Sequence, residues 1–268
     1  MTRNIKVLVT GGSGQLAQVF LQHYGEQYQL RLTYYTRPFE APGHEVIRVD
    51  LADYGQVLEA MEGIEAVVHL GADTRGSAPW DSILRNNIVG TYHVFEAARQ
   101  AGVRRIVYAS SNHAAGYALA EQDMIGPDAP VRPDSLYGVS KCFGEALGSY
   151  YHDRHGLDIV CLRIGSSHGG VDEDKQRVYL ERAVKRGGSG PYSVPQYLSI
   201  WLSSADMSQL IHRSLQAECA HGIYYGISDN TPPAYDLSET RCVLGYAPQD
   251  DVQDLFDEPI ASLGGPKA

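Results

Sequence analysis

The sequence lacks the features that identify a secreted, a metal-binding or a membrane-spanning protein. Its four cysteines form no C-x-x-C pair, so we expect neither a disulfide framework nor a zinc site. No apolar run approaches the ~20 residues that a membrane span needs, and the strand-like run from Ile5 leaves no room for a signal peptide. We therefore expect a soluble, cytoplasmic protein that binds neither a metal nor a membrane.

Positive charge is also scarce. The 268 residues carry 22 Lys and Arg against 32 Asp and Glu, a formal net charge of -10. Such a chain has no overall attraction for nucleic acid or for an anionic membrane surface. Because 43% of its residues are hydrophobic, it can nevertheless bury a substantial core. Its length allows one domain or two small ones.

What the sequence does contain is a regular alternation of strand-like and helix-like stretches. Strands are predicted at Ile5–Thr10, Gln29–Tyr34, Glu45–Val49, Ala66–Leu70, Arg105–Ser110, Asp158–Arg163 and Ile223–Ser228. Several are apolar throughout, as in parallel strands covered on both faces. Helices are predicted at Tyr54–Met61, Trp80–Ala101, Leu136–His155 and about Ser204–Ala217. The alternation predicts an α/β fold, a Rossmann-type doubly wound parallel sheet.

A glycine-rich turn follows the first predicted strand. Gly11, Gly14 and Ala17 stand in a G-x-x-G-x-x-A frame. Gly11 permits a tight turn, Gly14 lets backbone N–H groups approach a pyrophosphate, and Ala17 lets the helix pack closely on the strand. A helix N-terminus then faces the anion. This context predicts a dinucleotide site, to which we also assign Gln15 and Leu16.

Three further strand ends supply candidate cofactor contacts. Asp50 and Leu51 can bracket an adenine ring, and the small-residue run Leu70, Gly71 and Ala72 follows the fourth strand. The acid usually expected after the second strand is missing, because the run there is Leu32-Thr-Tyr-Tyr-Thr-Arg37. No carboxylate at this place repels a 2′-phosphate, and Thr36 and Arg37 can bind one. The sequence therefore favours NADP over NAD, with Tyr34 and Arg37 as contacts; in the alternative, Arg37 is a solvated loop residue.

A phenol and an ammonium group stand four residues apart in Tyr137-Gly-Val-Ser-Lys141, on one face of a predicted helix. A cation beside a phenol lowers its pKa from ~10, which makes Tyr137 usable as a general acid–base. The fifth predicted strand ends at Ser110-Ser111, at the sheet edge where ligands bind in open α/β folds. We predict Ser111, Tyr137 and Lys141 as catalytic residues.

These motifs resemble the extended short-chain dehydrogenase/reductases over nearly the whole chain. Longer strings resemble uronate dehydrogenases, at Ala109–His113, Arg132–Glu145, Arg163–Ser166 and Trp201–Ser203. Others are similar to a sister group that includes an archaeal NAD-dependent glucose-6-phosphate dehydrogenase, at Ala78–Asn87, Tyr150–Asp153, Tyr225–Asn230 and Leu244–Tyr246. Both groups oxidise the anomeric C1 of a pyranose to a lactone.

The resemblance implies an NAD(P)-dependent sugar 1-dehydrogenase, an oxidoreductase acting on a CH–OH group. In this mechanism Tyr137, activated by Lys141, removes the proton of the C1 hydroxyl, Ser111 orients that hydroxyl, and hydride passes to the nicotinamide. The remaining implied contacts fall into two sets. The cofactor would be contacted by Tyr137, Lys141, Asn87 and Ile164. The sugar would be contacted by Ser111, Tyr137, Asn112, His113 and Ser166. In the alternative, His113 is a satisfied polar residue without a substrate role.

The sequence departs from uronate dehydrogenases at the position that decides the substrate. Those enzymes carry an arginine for the sugar carboxylate five residues before the Trp of Trp-Leu-Ser, where this chain has Gln196. A C6 anion would then need Arg75 or the basic stretch Lys175, Arg177, Arg182, Lys185 and Arg186. We expect a hexose with a C6 carboxylate, phosphate or sulfonate, bound by Arg75 and Gln196. The alternative is a neutral aldose, with the basic stretch as a solvated helix face.

Two segments, Gly165–Gln196 and Asp229–Ala268, interrupt the alternation. We expect a single domain over residues 1–268, with about 1–165 mainly cofactor-binding and about 166–268 mainly a small C-terminal substrate lobe. That lobe is short for a nucleotide-sugar epimerase or dehydratase, which remains a less favoured alternative. Family members often pair through the helices predicted at Trp80–Ala101 and Leu136–His155, so we expect a homo-oligomer, a dimer or higher.

Overall fold

A computed structural model describes residues 5–168, 170 and 172–263, which form a seven-stranded parallel sheet between two layers of helices. The strands are β1 (Lys6–Thr10), β2 (Gln29–Tyr34), β3 (Glu45–Arg48), β4 (Ala66–His69), β5 (Arg105–Ser111), β6 (Asp158–Ile164) and β7 (His221–Gly226). Their order across the sheet is β3-β2-β1-β4-β5-β6-β7. This is a doubly wound sheet whose strand order reverses beside β1, so the predicted Rossmann-type fold is confirmed.

Helices cover both faces of the sheet. They are α1 (Gln15–Tyr24), α2 (Tyr54–Ala60), α3 (Trp80–Ser82), α4 (Gly90–Gln100), α5 (Gly116–Ala120), α6 (Leu136–His155), α7 (Glu173–Arg186), α8 (Val194–Ser199), α9 (Ser204–Gln216) and α10 (Ser238–Leu244). Short 3₁₀ turns lie at Gly25–Gln27, Asn112–Ala115, Val252–Leu255 and Ile260–Ser262. In the part of the chain that is described, no helix is long and apolar enough to cross a membrane.

The helix between β4 and β5 is continuous but irregular. Residues Ile83–Val89, which join α3 to α4, are π-helical. The prediction of one long helix from Trp80 is right in extent, but side chains in its middle do not follow the period of 3.6 residues. This irregular stretch lies beside the carboxyl edge of the sheet, and it contributes Arg85, Asn86 and Asn87 to that region.

The sheet separates two hydrophobic layers. Val7 and Val9 of β1 pack into one layer with Phe20 of α1, whereas Leu8 packs into the other with Phe95 of α4. Successive side chains of a strand point to opposite faces, so a strand covered on both faces is apolar throughout. Because both faces are covered, the carboxyl ends of the strands are left as the place for a ligand.

The predicted strands agree with the structure within one or two residues, and β7 is shifted most. It was predicted at Ile223–Ser228, but it begins two residues earlier because His221 and Gly222 pair with Ile159 and Val160 of β6. Pairing of this kind depends on the neighbouring strand, and the apolar pattern of the segment itself does not show it.

Candidate active site

A cavity of about 1130 Å³ runs along the carboxyl edge of the sheet. Ligands of open α/β sheets bind at this edge, next to the point where the strand order reverses. All but two of the predicted site residues line the cavity: Gly11, Gly14, Gln15, Leu16, Tyr34, Arg37, Asp50, Leu51, Leu70, Gly71, Ala72, Arg75, Ser111, Asn112, His113, Tyr137, Lys141, Ile164 and Ser166. Asn87 and Gln196 lie outside it. The cavity is therefore the candidate active site.

The turn between β1 and α1 allows an anion to approach the backbone closely. Gly11 has a φ of +69°, and a Cβ at this position would lie 2.9 Å from the Cα of Gly71. Only glycine fits there without strain. Gly14 precedes α1, and in the described structure no side chain caps this helix, so its first N–H groups stay available. The residues present thus fit a pyrophosphate held by backbone N–H groups and the helix dipole.

A buried histidine supports this turn, although the sequence analysis did not assign it. Nδ1 of His69 lies 2.7 Å from Oγ1 of Thr10, and its Nε2 lies 3.1 Å from Oγ1 of Thr91. The hydroxyl of Thr10 also accepts the N–H of Gly71 at 3.0 Å. Burial lowers the pKa of His69 to about 3, so the ring is neutral. It therefore holds the loop after β4 against β1 through hydrogen bonds rather than through charge.

One end of the cavity, the β2–β3 end, is formed by residues Tyr34 to Arg37 together with Asp50, Leu51 and Arg85. Arg85 donates a hydrogen bond to the carboxylate of Asp50, and its guanidinium lies 5.5 Å from the ring centroid of Tyr35. Burial by itself would raise the pKa of Asp50, but the hydrogen bonds from Arg85 and the backbone of Ala52 hold it below its usual value. Arg85 was not predicted as a site residue, because it lies in the π-helical stretch, whose side chains do not follow the α-helical period.

Both carboxylates that line the described cavity are paired with arginines. Asp50 pairs with Arg85, and Asp73 binds Arg75 through two hydrogen bonds of 2.9 and 2.6 Å. Ser82 also donates to Asp73 at 2.6 Å. The hydrogen bond from Arg75 is the main cause that holds the pKa of Asp73 well below its usual value. The cavity wall consequently carries little uncompensated negative charge.

The predicted catalytic residues meet between the two ends. Ser111 is the last residue of β5, and Tyr137 and Lys141 lie one turn apart on α6. The side chain of Ser135 caps the N-terminus of α6 and so sets where the helix begins. Nζ of Lys141 donates to the carbonyl of Ala109 at 2.7 Å and lies 5.3 Å from the ring centroid of Tyr137. All three side chains are buried.

Burial dominates the protonation of this group. It raises the pKa of Tyr137 to about 12, against a hydrogen bond from Ser111 that lowers it. It lowers the pKa of Lys141 to about 7, against the charge of Glu145, which raises it. The expectation that Lys141 brings the pKa of Tyr137 below ~10 is thus wrong for this geometry, because desolvation outweighs the nearby cation. A lysine that titrates near neutral pH is nevertheless suited to proton transfer.

Asn87 lies behind the cavity wall, and its side chain joins two elements of the site. Its Oδ1 accepts the N–H of Asp73 at 2.8 Å, and its Nδ2 donates to the carbonyl of Asp73 at 2.9 Å. Nδ2 also donates to Oγ of Ser140, next to Lys141, at 3.0 Å. Asn87 therefore positions the loop after β4 relative to α6, instead of lining the cavity itself.

The other end of the cavity, the β5–β6 end, is lined by Asn112, His113, Ser166, His168, Tyr179, Tyr192 and Tyr197. Its polar groups are held in pairs. Nδ2 of Asn112 donates to the hydroxyl of Tyr192 at 3.2 Å, and Oγ of Ser166 donates to the hydroxyl of Tyr197 at 2.9 Å. The tyrosines and His168 were not predicted, because they belong to the segment that interrupts the strand–helix alternation.

Each of the two histidines at this end is oriented by a neighbour. Nδ1 of His113 lies 2.8 Å from the carboxylate of Asp134, whose side chain is only 3% exposed, and within the described residues no hydrogen bond involves its Nε2. The ring of His168 stacks on that of Tyr179 with centroids 3.8 Å apart. Burial lowers the pKa of His168 to about 4, so this ring is neutral at pH 7. Both rings can exchange hydrogen bonds with a polar ligand.

Two groups expected to bind an anion lie away from the cavity. Oε1 of Gln196 accepts the N–H of Ser193 at 3.1 Å, and its Nε2 donates to the carbonyls of Leu119 and Gln122 at 3.0 and 3.2 Å. Its amide therefore closes a capping box of α8 and is not available to a substrate. The five cations of the basic stretch lie on the exposed face of α7. In the described structure, Tyr179 is the residue of α7 that lines the cavity.

The chain matches the model of the NAD dependent epimerase/dehydratase family over residues 7–219. The chain belongs to this family. The predicted membership in the extended short-chain dehydrogenase/reductases is thereby confirmed. Residues 7–219 run from the second residue of β1 to beyond α9 and include all three predicted catalytic residues.

The most similar relatives that we compared within this family are sugar dehydrogenases. The chain is 38% identical to an NAD-dependent glucose-6-phosphate dehydrogenase of Haloferax volcanii, over 94% of this chain and 96% of the relative. It is 38% identical to a uronate dehydrogenase of Pseudomonas putida, over 98% and 90% of the two chains. An L-arabinose 1-dehydrogenase (NAD(P)(+)) of Haloferax volcanii is 34% identical, over 92% and 97%. These relatives are oxidoreductases of CH–OH groups, and the prediction of an oxidoreductase is confirmed.

A solved structure shows the same architecture. The uronate dehydrogenase of Agrobacterium tumefaciens, a mutant in complex with NAD, superposes with a TM-score of 0.77 at 33% sequence identity. The match covers 98% of this chain and 91% of that one. The similarity therefore includes the segment after β6, in which the strand–helix alternation is interrupted.

Proposed function

We propose that this protein is an NAD(P)-dependent sugar 1-dehydrogenase that oxidises the anomeric C1 hydroxyl of an aldopyranose to the lactone. The observation that carries this proposal is the meeting of Ser111, Tyr137 and Lys141 in the cavity. On one side of them lies a turn that fits a pyrophosphate, and on the other lies a wall of paired hydroxyl, amide and imidazole groups. Relatives that match nearly the whole chain are dehydrogenases of sugars.

The chemistry of the step follows from the positions of these groups. The hydroxyl of Ser111 would orient the C1 oxygen, and the deprotonated Tyr137 would take the proton of the C1 hydroxyl. The protonated Lys141 favours the tyrosinate electrostatically and can pass on the proton, since its own pKa lies near 7. A bound NAD(P) supplies the hydride acceptor. The burial of all three side chains keeps water away from the reacting atoms.

For the cofactor, we propose that the protein accepts both NAD and NADP and favours NADP. Arg37 lines the β2–β3 end and is exposed, and Thr36 lines it as well. The carboxylate of Asp50 is compensated by Arg85, so a 2′-phosphate at this end would meet more positive than negative charge. Among the relatives, the L-arabinose 1-dehydrogenase is described as using NAD(P), which is compatible with this preference.

For the sugar, the structure favours a neutral aldopyranose over one with a C6 anion. The basic stretch and Gln196 do not reach the cavity. The buried carboxylate of Asp134 lies against His113, behind the β5–β6 end. A carboxylate or phosphate needs charge-assisted partners to repay its desolvation. One observation favours the anion as a second candidate: Arg75 lines the cavity, with its guanidinium oriented by Asp73.

The deciding experiment is a spectrophotometric screen at 340 nm with both cofactors. The sugars are glucose, galactose and arabinose against glucuronate, galacturonate, glucose 6-phosphate and sulfoquinovose. We expect NAD(P)H to form with the neutral sugars and the lactone to be detected by trapping with hydroxylamine. An epimerase or dehydratase would convert substrate without net NAD(P)H, and that outcome would refute the proposed function. If only the anionic sugars were oxidised, the second candidate, a sugar whose C6 anion is bound by Arg75, would replace the neutral sugar.

We also propose that the protein forms a homodimer through α3, α4 and α6. The π-helical stretch Ile83–Val89 packs against all three helices, and several large apolar side chains on these four segments are exposed: Trp80, Leu84, Tyr92, Leu136, Val139 and Tyr150. A second copy would bury such a patch. Light scattering coupled to size exclusion should give twice the mass of 29.4 kDa, and a monomeric mass at micromolar concentration would contradict the dimer.

A further inference from the structure

A fully buried ion pair lies directly behind the catalytic residues. Nε and Nη2 of Arg163 each donate to the carboxylate of Glu145 at 2.9 Å, and both side chains are 3% exposed. The hydroxyl of Ser110 donates to Oε1 of Glu145 at 2.6 Å, and Nη1 of Arg163 donates to the hydroxyl of Tyr225 at 2.9 Å. The pair thus joins α6 to β5, β6 and β7.

The position of this pair relative to the reacting groups is set by the secondary structure. Glu145 follows Lys141 by four residues on α6, so the two side chains lie on one face, and both are buried. Ser110 immediately precedes Ser111, the predicted hydrogen-bond donor to the substrate. A bidentate pair of this kind is costly to desolvate and adds little net stability by itself. Since stability alone does not account for the pair, its location next to Lys141 and Ser111 indicates a function in the active site.

We propose that Glu145, held by Arg163, is a positioning residue that stabilises the ammonium form of Lys141 and fixes the end of β5 through Ser110. The inference rests on the proposed dehydrogenase function, in which Tyr137 acts while Lys141 is protonated. In a dry site a carboxylate one turn away favours the cation strongly. Other titratable or charged groups near Lys141 are on the strands packed against it and on its own helix: His69, Tyr108, Cys161, Arg163 and Tyr137.

This role has a signature in the pH profile. Burial lowers the pKa of Lys141, and the charge of Glu145 raises it. The active form has lost one proton from the Tyr137–Lys141 pair and keeps the remaining one on Lys141. Without the charge of Glu145, the pair loses its first proton at lower pH, but the remaining proton stays on Tyr137 more often. The acid limb of kcat/KM should then move to lower pH while the plateau falls.

The test compares the wild-type enzyme with Glu145→Gln, which keeps the shape and one of the two acceptor oxygens but removes the charge. We expect the acid limb to move down by about one pH unit and the plateau to fall about tenfold, because both changes have the same electrostatic origin. The cofactor Kd, measured by titration without sugar, should stay within about threefold. A lowered plateau with an unmoved acid limb would mean that the pair is only structural, and it would overturn the proposal.

The chain offers a matched control and a second variant. Glu96, Arg99 and Tyr151 form a similar carboxylate–guanidinium–phenol cluster away from the cavity, so Glu96→Gln should leave the pH profile unchanged. Ser110→Ala keeps the ion pair and breaks its link to β5. We expect it to lower kcat about fivefold without moving the acid limb.

The experiments also distinguish a failure of the positioning role of Glu145 from a failure of the proposed dehydrogenase function. If Glu145→Gln does not fold, Ser110→Ala decides alone, and a wild-type kcat in that variant would overturn the proposed positioning role. If the wild-type protein oxidises no sugar, the proposed function fails instead. An active wild-type enzyme whose pH profile does not respond to Glu145→Gln refutes only the inference.

Discussion

The two ends of the cavity offer a ligand different kinds of contact. At the turn after β1, which adjoins the β2–β3 end, the backbone of Gly11 and Gly14 and the N-terminus of α1 are available to an anion. At the β5–β6 end, the contacts are side chains, each fixed by a second side chain, as Asn112 is by Tyr192 and His113 by Asp134. We therefore expect pyrophosphate binding beside β1 to depend on backbone conformation, and sugar binding at the β5–β6 end to depend on side-chain identity.

Such a division would let one fold keep its cofactor and change its sugar. Backbone N–H groups are present whatever the side chains are, so the turn after β1 tolerates variation except at glycine positions. The paired side chains at the β5–β6 end come from α7, from α8 and the residues just before it, and from the turns that follow β5 and β6. A single substitution there changes the hydroxyl pattern that can be bound. The predictions below test whether the two ends respond separately.

The largest effect is expected between the ends, where both ligands meet. Tyr137→Phe removes the group that takes the proton, so kcat should fall about 10³-fold. Because the rest of the cavity is unchanged, the cofactor Kd measured by calorimetry should stay within about threefold. Tyr150→Phe, an exposed tyrosine on the same helix, is the control and should be fully active. Near-normal turnover of Tyr137→Phe would remove this residue from the mechanism.

A backbone change should affect the cofactor alone. Gly11→Ala places a Cβ 2.9 Å from the Cα of Gly71 at a φ of +69°. Strain of ~1–3 kcal/mol at this turn corresponds to a cofactor Kd about 5- to 150-fold weaker. Gly63→Ala has a similar φ of +70° but no atom within 4 Å of the new Cβ, so it should leave the Kd unchanged. Equal losses in both variants would show that general instability, and not the close approach, is measured.

A side-chain change at the β5–β6 end should affect the sugar alone. His113→Ala removes the imidazole that Asp134 orients, so the KM of the sugar should rise about tenfold through the loss of one hydrogen bond. The KM of the cofactor should not change. His152→Ala is the control, because Nδ1 of His152 bonds to the carbonyl of Leu157 at the other end of α6. An unchanged sugar KM would support the alternative that His113 has no substrate role.

The smallest effect concerns the choice between the cofactors. Arg37→Ala should lower the ratio of kcat/KM for NADP to that for NAD about fivefold, since an exposed charge contact contributes ~1 kcal/mol. The value for NAD itself should stay the same. Arg132→Ala removes another exposed arginine, one that pairs with Glu121, and should change neither value. If the ratio does not respond to Arg37→Ala, the argument from the missing acid after β2 fails.

Local sequence patterns predicted the parts of the site that depend on neighbouring residues. Each of three features consists of residues that are close together in the sequence: the glycine turn, the Tyr137–Lys141 pair and the end of β5. Helix or strand geometry alone therefore decides how the residues within each feature lie relative to one another. Arg85 and Asn87 were harder to place because the π-helical stretch has no regular α-helical period. Gln196 was placed wrongly, since the capping box at Ser193 that uses its amide was not recognised.

The sequence by itself determined the doubly wound α/β fold, and it indicated the residues that we propose as catalytic. Only the tertiary structure decided the protonation of Tyr137 and Lys141, because desolvation depends on every element packed around them. It also decided which charges reach the substrate. Five cations close together in sequence lie on the exposed face of α7, whereas Glu145 and Arg163, eighteen residues apart, meet behind the site. Which charged side chains lie near the active site is therefore decided by the packing of helices and strands, and not by how closely the charges follow one another in the sequence.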